Sequence, residues 1–334
     1  MAIAETMYGS DKGGLVCAYV FRPGEPGLGI QSDAAANLLD AGLDGAADFL
    51  WLHFSLANTG SGQWLRQHLA LPAAFYDALQ EGSSTRIEAL GDALLAVIND
   101  VQFFAAEAST AATVTMCVTD RLIVSARTTQ LRAIDRLRAA VKRGETFRSP
   151  AALLAHLLRD QADVLVEIVR DATKQVDAVE DRIIAHQSAS RPKLGALRRV
   201  LVRLQRLLAP EPAALFRLLN RPPDWLSKDD VTDLQRSAEE FSAAVSDSAA
   251  LVERIRLLQE ELIALINEET NRTLFILTVV TVLALPLTII PGLFGMNVRG
   301  IPFSEHQGGF WLVMLVMTVV VGLGAALAWT RHRR

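Results

Sequence analysis

The sequence predicts an α+β domain followed by long helices and two membrane-crossing helices near the C-terminus. Three observations carry that expectation. Short apolar or alternating runs, rich in β-branched and aromatic residues and separated by Gly, Asp, Asn and Ser, fill the first part of the chain, as strands of a half-buried sheet require. From Ser149 onward the apolar residues recur every three or four positions, the period of a helix face. Leu274 to Leu293 and Phe310 to Trp329 carry no charge, and each matches the about 20 helical residues that cross a hydrocarbon core of ~30 Å. The alternative is a pair of buried helices in a soluble core. Trp311 and Trp329, near the ends of the second run where amphipathic rings favour a lipid interface, count against it.

Residues 1–143 are expected to form a cytoplasmic α/β domain. Its strands are placed at Leu15 to Phe21, Phe49 to Leu56, Arg86 to Leu90, Leu94 to Ile98, Val114 to Val118 and Arg121 to Ala126. Helical patterns intervene at Ala34 to Ala41, Gly62 to Leu69 and Ala73 to Glu81, and Thr128 to Lys142 closes the domain as an amphipathic helix. No Gly-rich phosphate loop, nucleophile elbow or metal-ligand pair of the usual spacing is visible, which leaves an enzyme the weakest of the function classes. His53 in a strand and His68 in a helix read as structural or surface histidines.

Residues 149–220 are expected to form a helical hairpin. Pro150 suits a first helical turn, and Leu158, Ala162, Leu165, Val169, Ala172, Val176, Val179 and Ile183 make a packing seam. After a break at Ser188 to Pro192, a second stripe runs from Leu194 to Leu208, and Pro210 with Pro212 ends it.

Arg221 to Trp225 is a second break. Residues 224–273 then read as a stalk that continues without interruption into the first span, and a helix from Lys228 to Phe294 would extend roughly 100 Å at about 1.5 Å per residue. Its acids, among them Asp229, Asp230, Asp233, Glu239, Glu240, Asp247, Glu253, Glu260, Glu261, Glu268 and Glu269, admit two readings: a solvated face, or the lining of a vestibule that concentrates cations.

The spans are expected at 274–294 and 310–329, with an outer loop at 295–309 and a basic cytoplasmic tail at 330–334. The tail carries three arginines and a histidine whereas the loop carries only Arg299, so the positive-inside rule puts both termini in the cytoplasm. Glu5, Asp11 and Lys12 leave no signal-peptide pattern at the start, and the first span is expected to direct insertion. A net charge of −4 over 334 residues argues against a nucleic-acid partner. Cys17 and Cys117 are too few for a disulfide framework and read as reduced structural thiols.

Within the first span, Leu277, Thr281, Leu285, Thr288 and Gly292 recur every three or four residues. A single pair of helices cannot enclose a water-filled path, so conduction would need several copies around an axis. In such a ring the threonines would bear water and the leucines would form constrictions that gate by dewetting. Spacing alone favours an ordinary helix-packing face, and Pro286 and Pro291 are positioned to kink the helix.

Gly295-Met296-Asn297, directly after the first of two C-terminal spans, resembles the signature of the CorA metal-ion transporter superfamily. The resemblance covers the whole chain, from the α/β domain through the hairpin and stalk to the two spans and basic tail. The continuation into Gly300-Ile301-Pro302 looks like the ZntB branch, which is associated with zinc, and the Met-Pro-Glu-Leu type of segment usual in the magnesium branch is missing. The resemblance implies a homopentamer in which the first span lines one central pore, with Leu277, Thr281, Leu285, Thr288 and Gly292 at or near pore-lining positions. Asn297 would supply a ring of amide oxygens that bind a hydrated divalent ion without stripping its shell. Gly295 would turn the chain out of the helix through a positive φ, and Met296 would anchor the turn. Glu305 and His306, the only acid and the only histidine between the spans, either recruit zinc at the mouth or belong to an exposed loop.

The function expected from this is transport of divalent cations, foremost zinc uptake across the plasma membrane, with proton coupling allowed by the resemblance. No cofactor is expected, zinc being the transported ion; the partners are other copies of the chain and the lipid bilayer. The alternatives are a magnesium or cobalt channel gated by cytoplasmic metal, for which Asp11, Asp160 or Asp171 are candidates, and a membrane-anchored sensor.

Overall fold

The computed structural model describes residues 9–43, 45, 48–80, 85–101, 111–185, 191–296 and 308–332. The chain divides into two compact units, Met1–Leu258 and Gln259–Arg334.

The first unit is built on a sheet of seven strands: β1 (Leu15–Phe21), β2 (Leu28–Ile30), β3 (Phe49–Ser55), β4 (Arg86–Leu90), β5 (Ala93–Val101), β6 (Ala111–Val118) and β7 (Leu122–Arg127), in the order β2-β1-β3-β7-β6-β5-β4. Only β3 and β7 run parallel; the remaining neighbours are antiparallel. Every residue of β3 is buried, and the two-residue period of a strand sorts its side chains between two layers of helices. Leu50, Leu52 and Phe54 pack with α1 (Ser32–Ala41), α2 (Gly60–His68) and α3 (Ala73–Gln80). Phe49 and Trp51 join Tyr19 and Phe21 under α4 (Arg132–Lys142) and the first turns of α5 (Pro150–Ile184). Gly14 shows why α2 can lie so close to the sheet: its φ is +81°, and a Cβ there would stand 1.8 Å from Ser61 Oγ.

The strands expected from the sequence are all present, with ends moved by up to three residues at the β5 and β6 termini. Strand β2, too short for an alternating pattern, and helix α7 (Pro210–Leu219) were not expected. Pro210 and Pro212 do end α6 (Arg191–Leu208), but a proline needs no N–H in a first helical turn, so the same residues begin the next helix. Helix α4 starts at Arg132 rather than Thr128. The Oδ2 of Asp100 on β5 accepts from Ala133 N–H at 2.7 Å, so its cap comes from a distant strand.

Helix α5 begins as its sequence suggests, with Ser149 Oγ accepting from Ala152 N–H at 3.0 Å and Pro150 in the first turn. Helix α6 returns antiparallel to it. Asn99 bridges the end of α6 and the first half of α5, donating to Leu207 O at 3.2 Å and accepting from Gln161 Nε2 at 2.8 Å, while Lys193, Leu197 and Leu201 lie across a groove from Ile168 and Ala172. Helix α8 (Lys228–Phe294) is one helix of 67 residues that contributes to both units and continues through Pro286 and Pro291. Helix α9 (Gly309–His332) completes the second unit.

Candidate functional site

In the second unit α8 and α9 meet through small and apolar side chains. Gly324 of α9 lies against Leu283 of α8, where a Cβ on the glycine would come within 2.5 Å of Leu283 Cδ2. Phe275, Val279, Leu283, Pro286 and Ile290 are half-buried at helical spacing, and Val313, Met317, Val321 and Gly324 form the corresponding stripe of α9. Close approach at a small residue is how apolar helices pair without a hydrophobic driving force.

The sequence-predicted stripe lies on the other side of α8. Leu277, Thr281, Leu285, Thr288 and Gly292 fall within about 80° of one another at 100° per residue, and their mean direction is about 160° from that of the half-buried stripe. All five are exposed, Leu277 at 60% and Leu285 at 56%. Thr281 Oγ1 donates to Leu277 O at 2.8 Å and Thr288 Oγ1 to Leu285 O at 2.9 Å. With the hydroxyl protons committed to the helix, what the threonines turn outward is oxygen lone pairs, the polarity that receives the water shell of a cation.

At the end of α8, Gly295 N–H closes onto Pro291 O at 2.8 Å and Met296 N–H onto Leu293 O at 3.3 Å. Gly295 is not among the described glycines with positive φ, which corrects the expectation of a left-handed turn there. The helix end tightens instead, and a Cβ on Gly295 would stand 3.2 Å from Pro291 O. Met296 is 52% exposed rather than packed against the turn. Asn297, Glu305 and His306 lie outside the described residues, so the predicted site is represented by its helical part.

The apolar surface of this unit is extensive. The most apolar window of α8 is not buried at all, and the helix is long and apolar enough to cross a membrane; α9 adds an apolar stretch from Gly309 to Gly324. Exposed large side chains run from Leu274 to Met296 and from Phe310 to Leu323. Contiguous apolar surface of this size marks contact with lipid or another protein.

Other candidates resolve into structural roles. His53 is fully buried, its Nδ1 2.7 Å from Ser125 Oγ, and burial holds it well below the usual histidine range, so it is neutral. His68 packs against Trp64 at 4.7 Å between ring centroids. Cys17 and Cys117 are free, and burial pushes both thiols up to about 11, which leaves them inert. Asp11 caps the turn before β1 by accepting from Leu15 N–H at 2.9 Å, and exposed Asp171 pairs with Lys174 at 3.2 Å. Asp160 stands 3.6 Å from His156 Nε2, which is also 3.8 Å from Glu145. Among the described residues no group of three or more His, Cys, Asp or Glu is arranged to hold a metal. Of the stalk acids, Asp233 pairs with Arg148 at 2.7 Å and Glu253 with Arg256 at 2.6 Å, so part of that list serves the helices themselves.

The comparisons with known proteins agree with this architecture. The family model described as CorA-like Mg2+ transporter protein matches residues 46–329. The zinc transport protein ZntB of Pectobacterium carotovorum subsp. carotovorum is 27% identical over 285 residues, 85% of this chain and 86% of that one. The divalent cation transporter CmaX of Pseudomonas aeruginosa is 30% identical over 334 residues, 97% of each chain. The structure of full-length CmaX superposes with a TM-score of 0.80, at 26% identity, over 97% of this chain and 98% of that one. The CorA magnesium transporter of Methanocaldococcus jannaschii, at 20% identity and a TM-score of 0.75 over 93% and 96% of the two chains, shares the fold. The chain belongs to the CorA-like family of divalent-cation transporters.

Proposed function

We propose that this chain carries zinc into the cell across the plasma membrane as a homopentamer, with α8 of each subunit lining one central path and α9 facing lipid. The observation that carries this reading is the division of labour around α8. One side is engaged by α9 through Leu283 and Gly324, and the opposite side, bearing Thr281 and Thr288 between leucines, is left free for copies of itself. A face that alternates hydroxyl oxygens with bulky apolar groups suits a path that hydrates an ion in steps and closes by dewetting.

Asn297 at the end of the path would present amide oxygens to a hydrated ion, and Glu305 with His306 would raise the local zinc concentration, since zinc accepts oxygen and imidazole nitrogen alike. Both termini lie in the cytoplasm under this reading. A membrane potential negative inside favours cation entry by about 2.3 kcal/mol per charge per 100 mV, which sets the direction as uptake. Zinc as the cargo is supported by the similarity to the zinc transport protein ZntB; the match to a CorA-like Mg2+ transporter family favours a magnesium channel as the second reading.

Zinc entry into proteoliposomes holding the purified chain separates the two. Flux that resists excess magnesium and grows with a pH gradient supports proton-coupled zinc uptake. Magnesium flux indifferent to pH supports the channel, and no flux of either ion leaves the spans as mere anchors.

A further inference from the structure

In the first unit a carboxyl is sealed from water at the joint between the sheet and the helical hairpin. Glu211, in the first turn of α7, is fully buried. Its Oε1 accepts from Asn99 N–H on β5 at 2.7 Å, and its Oε2 has no partner. The Gln161 amide of α5 flanks the carboxyl, donates from Nε2 to Asn99 O at 2.8 Å, and leaves its own Oε1 without a partner. Asn99 extends the joint: its side chain donates to Leu207 O at the end of α6 and bonds Thr85 Oγ1 ahead of β4, and Thr113 Oγ1 of β6 donates to its Oδ1 at 3.2 Å.

Even with the Asn99 N–H and the Gln161 side chain to bond it, a fully buried carboxylate with no cation in an ion pair among the described residues is a costly arrangement. Among the described residues the charged group that bears on it is Asp100 of β5, a like charge, while α5 offers it the neutral Gln161 side chain and the Leu207 carbonyl of α6 is taken by the Asn99 side chain. On β4, which packs against α7, Arg86 is engaged with Glu88 at 3.7 Å. A proton on Oε2 removes the charge and supplies the donor that the acceptor-only Gln161 Oε1 lacks.

We propose that Glu211 is a proton-binding site that latches the sheet to helices α5, α6 and α7: protonated, it closes the joint through Asn99 and Gln161, and ionised, it loosens it. Burial first, and Asp100 second, hold the carboxyl well above the usual range. Because the folded state then binds the proton more tightly than the unfolded chain, the latch is fully closed below about pH 4.3 and weakens as pH rises, the opening equilibrium growing about tenfold per pH unit until the folded carboxyl itself ionises.

The test uses the full-length protein and does not read flux, so its outcome is independent of the transport reading. Hydrogen exchange in β5 and α7, corrected for the intrinsic pH dependence of amide exchange, is followed from about pH 5 to about pH 9 in wild type and in Glu211→Gln, which keeps shape and neutrality. The wild-type joint is expected to lose protection by about tenfold per pH unit across part of this range, and the variant to stay flat. Infrared spectra of wild type should carry, at neutral pH, an un-ionised carboxyl band that shifts on 13C-glutamate labelling. Parallel exchange profiles, or no labelled band, would overturn the proposal, and the infrared arm decides it even if the variant folds poorly.

Discussion

Ser149 donates its hydroxyl to Asp230 Oδ1 at 2.6 Å, a contact that helps join the N-termini of α5 and α8. Asp230 also completes a capping box on α8. Its Oδ2 accepts from the Ser227 hydroxyl at 2.6 Å and backbone N–H at 3.3 Å, while Ser227 Oγ accepts from Asp230 N–H at 3.1 Å. Arg148 approaches the same carboxylate at 3.4 Å. Asp230→Ala should therefore destabilise the chain by about 2–3 kcal/mol, the sum of a lost cap and lost charge-assisted bonds. The shift of the denaturant midpoint measures it, and Asp230→Asn should recover part.

Gly324→Ile should disrupt the pairing of α8 with α9, because its Cβ would enter the space of Leu283 Cδ2. Overpacking of this kind costs about 1–3 kcal/mol, and Leu283→Ala in the same chain should restore most of the loss. Yield of assembled protein in detergent reports both.

Thr281→Leu and Thr288→Leu remove outward-facing oxygens from the exposed stripe and leave the α9 contact untouched. Each should cut metal flux by about tenfold or more, about 1.4 kcal/mol of added barrier, with assembly intact. Wild-type flux in both would reject the stripe as a path.

If Asn297 presents amide oxygens to the ion as proposed, Asn297→Ala should reduce flux on the same scale, about tenfold, without affecting folding or assembly. Full transport by this variant would remove Asn297 from the mechanism.

Asp160 is pushed up to about 6 by burial, against the lowering effect of Arg136; Asp163 and Glu145 add to the rise and Arg143 opposes it. A carboxyl raised in the folded state contributes stability that is present at low pH and lost as pH climbs from about 4 to its folded value. Asp160→Asn should flatten the stability profile between about pH 4 and about pH 6 relative to wild type.

The sheet was legible because strand period and residue type agree at positions such as Phe49 to Phe54, where both faces are buried. Strand β2 was not, because three residues carry no period. Helix α7 was hidden behind Pro210 and Pro212, whose dual capacity to stop one helix and start the next is fixed by what Ala214 and Leu215 pack against, a tertiary matter. At the candidate site, spacing alone gave the Thr281 stripe but could not say which side of α8 a neighbour would take. That was decided by Gly324, a glycine that one-dimensional pattern treats like any other small residue in an apolar helix. Glu211 gave no signal at all: a lone acid between two prolines reads as surface until the fold closes over it.

The central claim, that the stripe of α8 opposite α9 faces water, is tested most directly by cysteine accessibility in lipid. Buried Cys117 and half-buried Cys17, with both thiols pushed up to about 11, leave a low background for an aqueous thiol reagent. Thr281→Cys and Thr288→Cys should react and be protected by zinc, whereas Val280→Cys, turned about 100° from Thr281 on α8, should not. Reaction at Val280→Cys with silence at the two threonine positions would contradict the account.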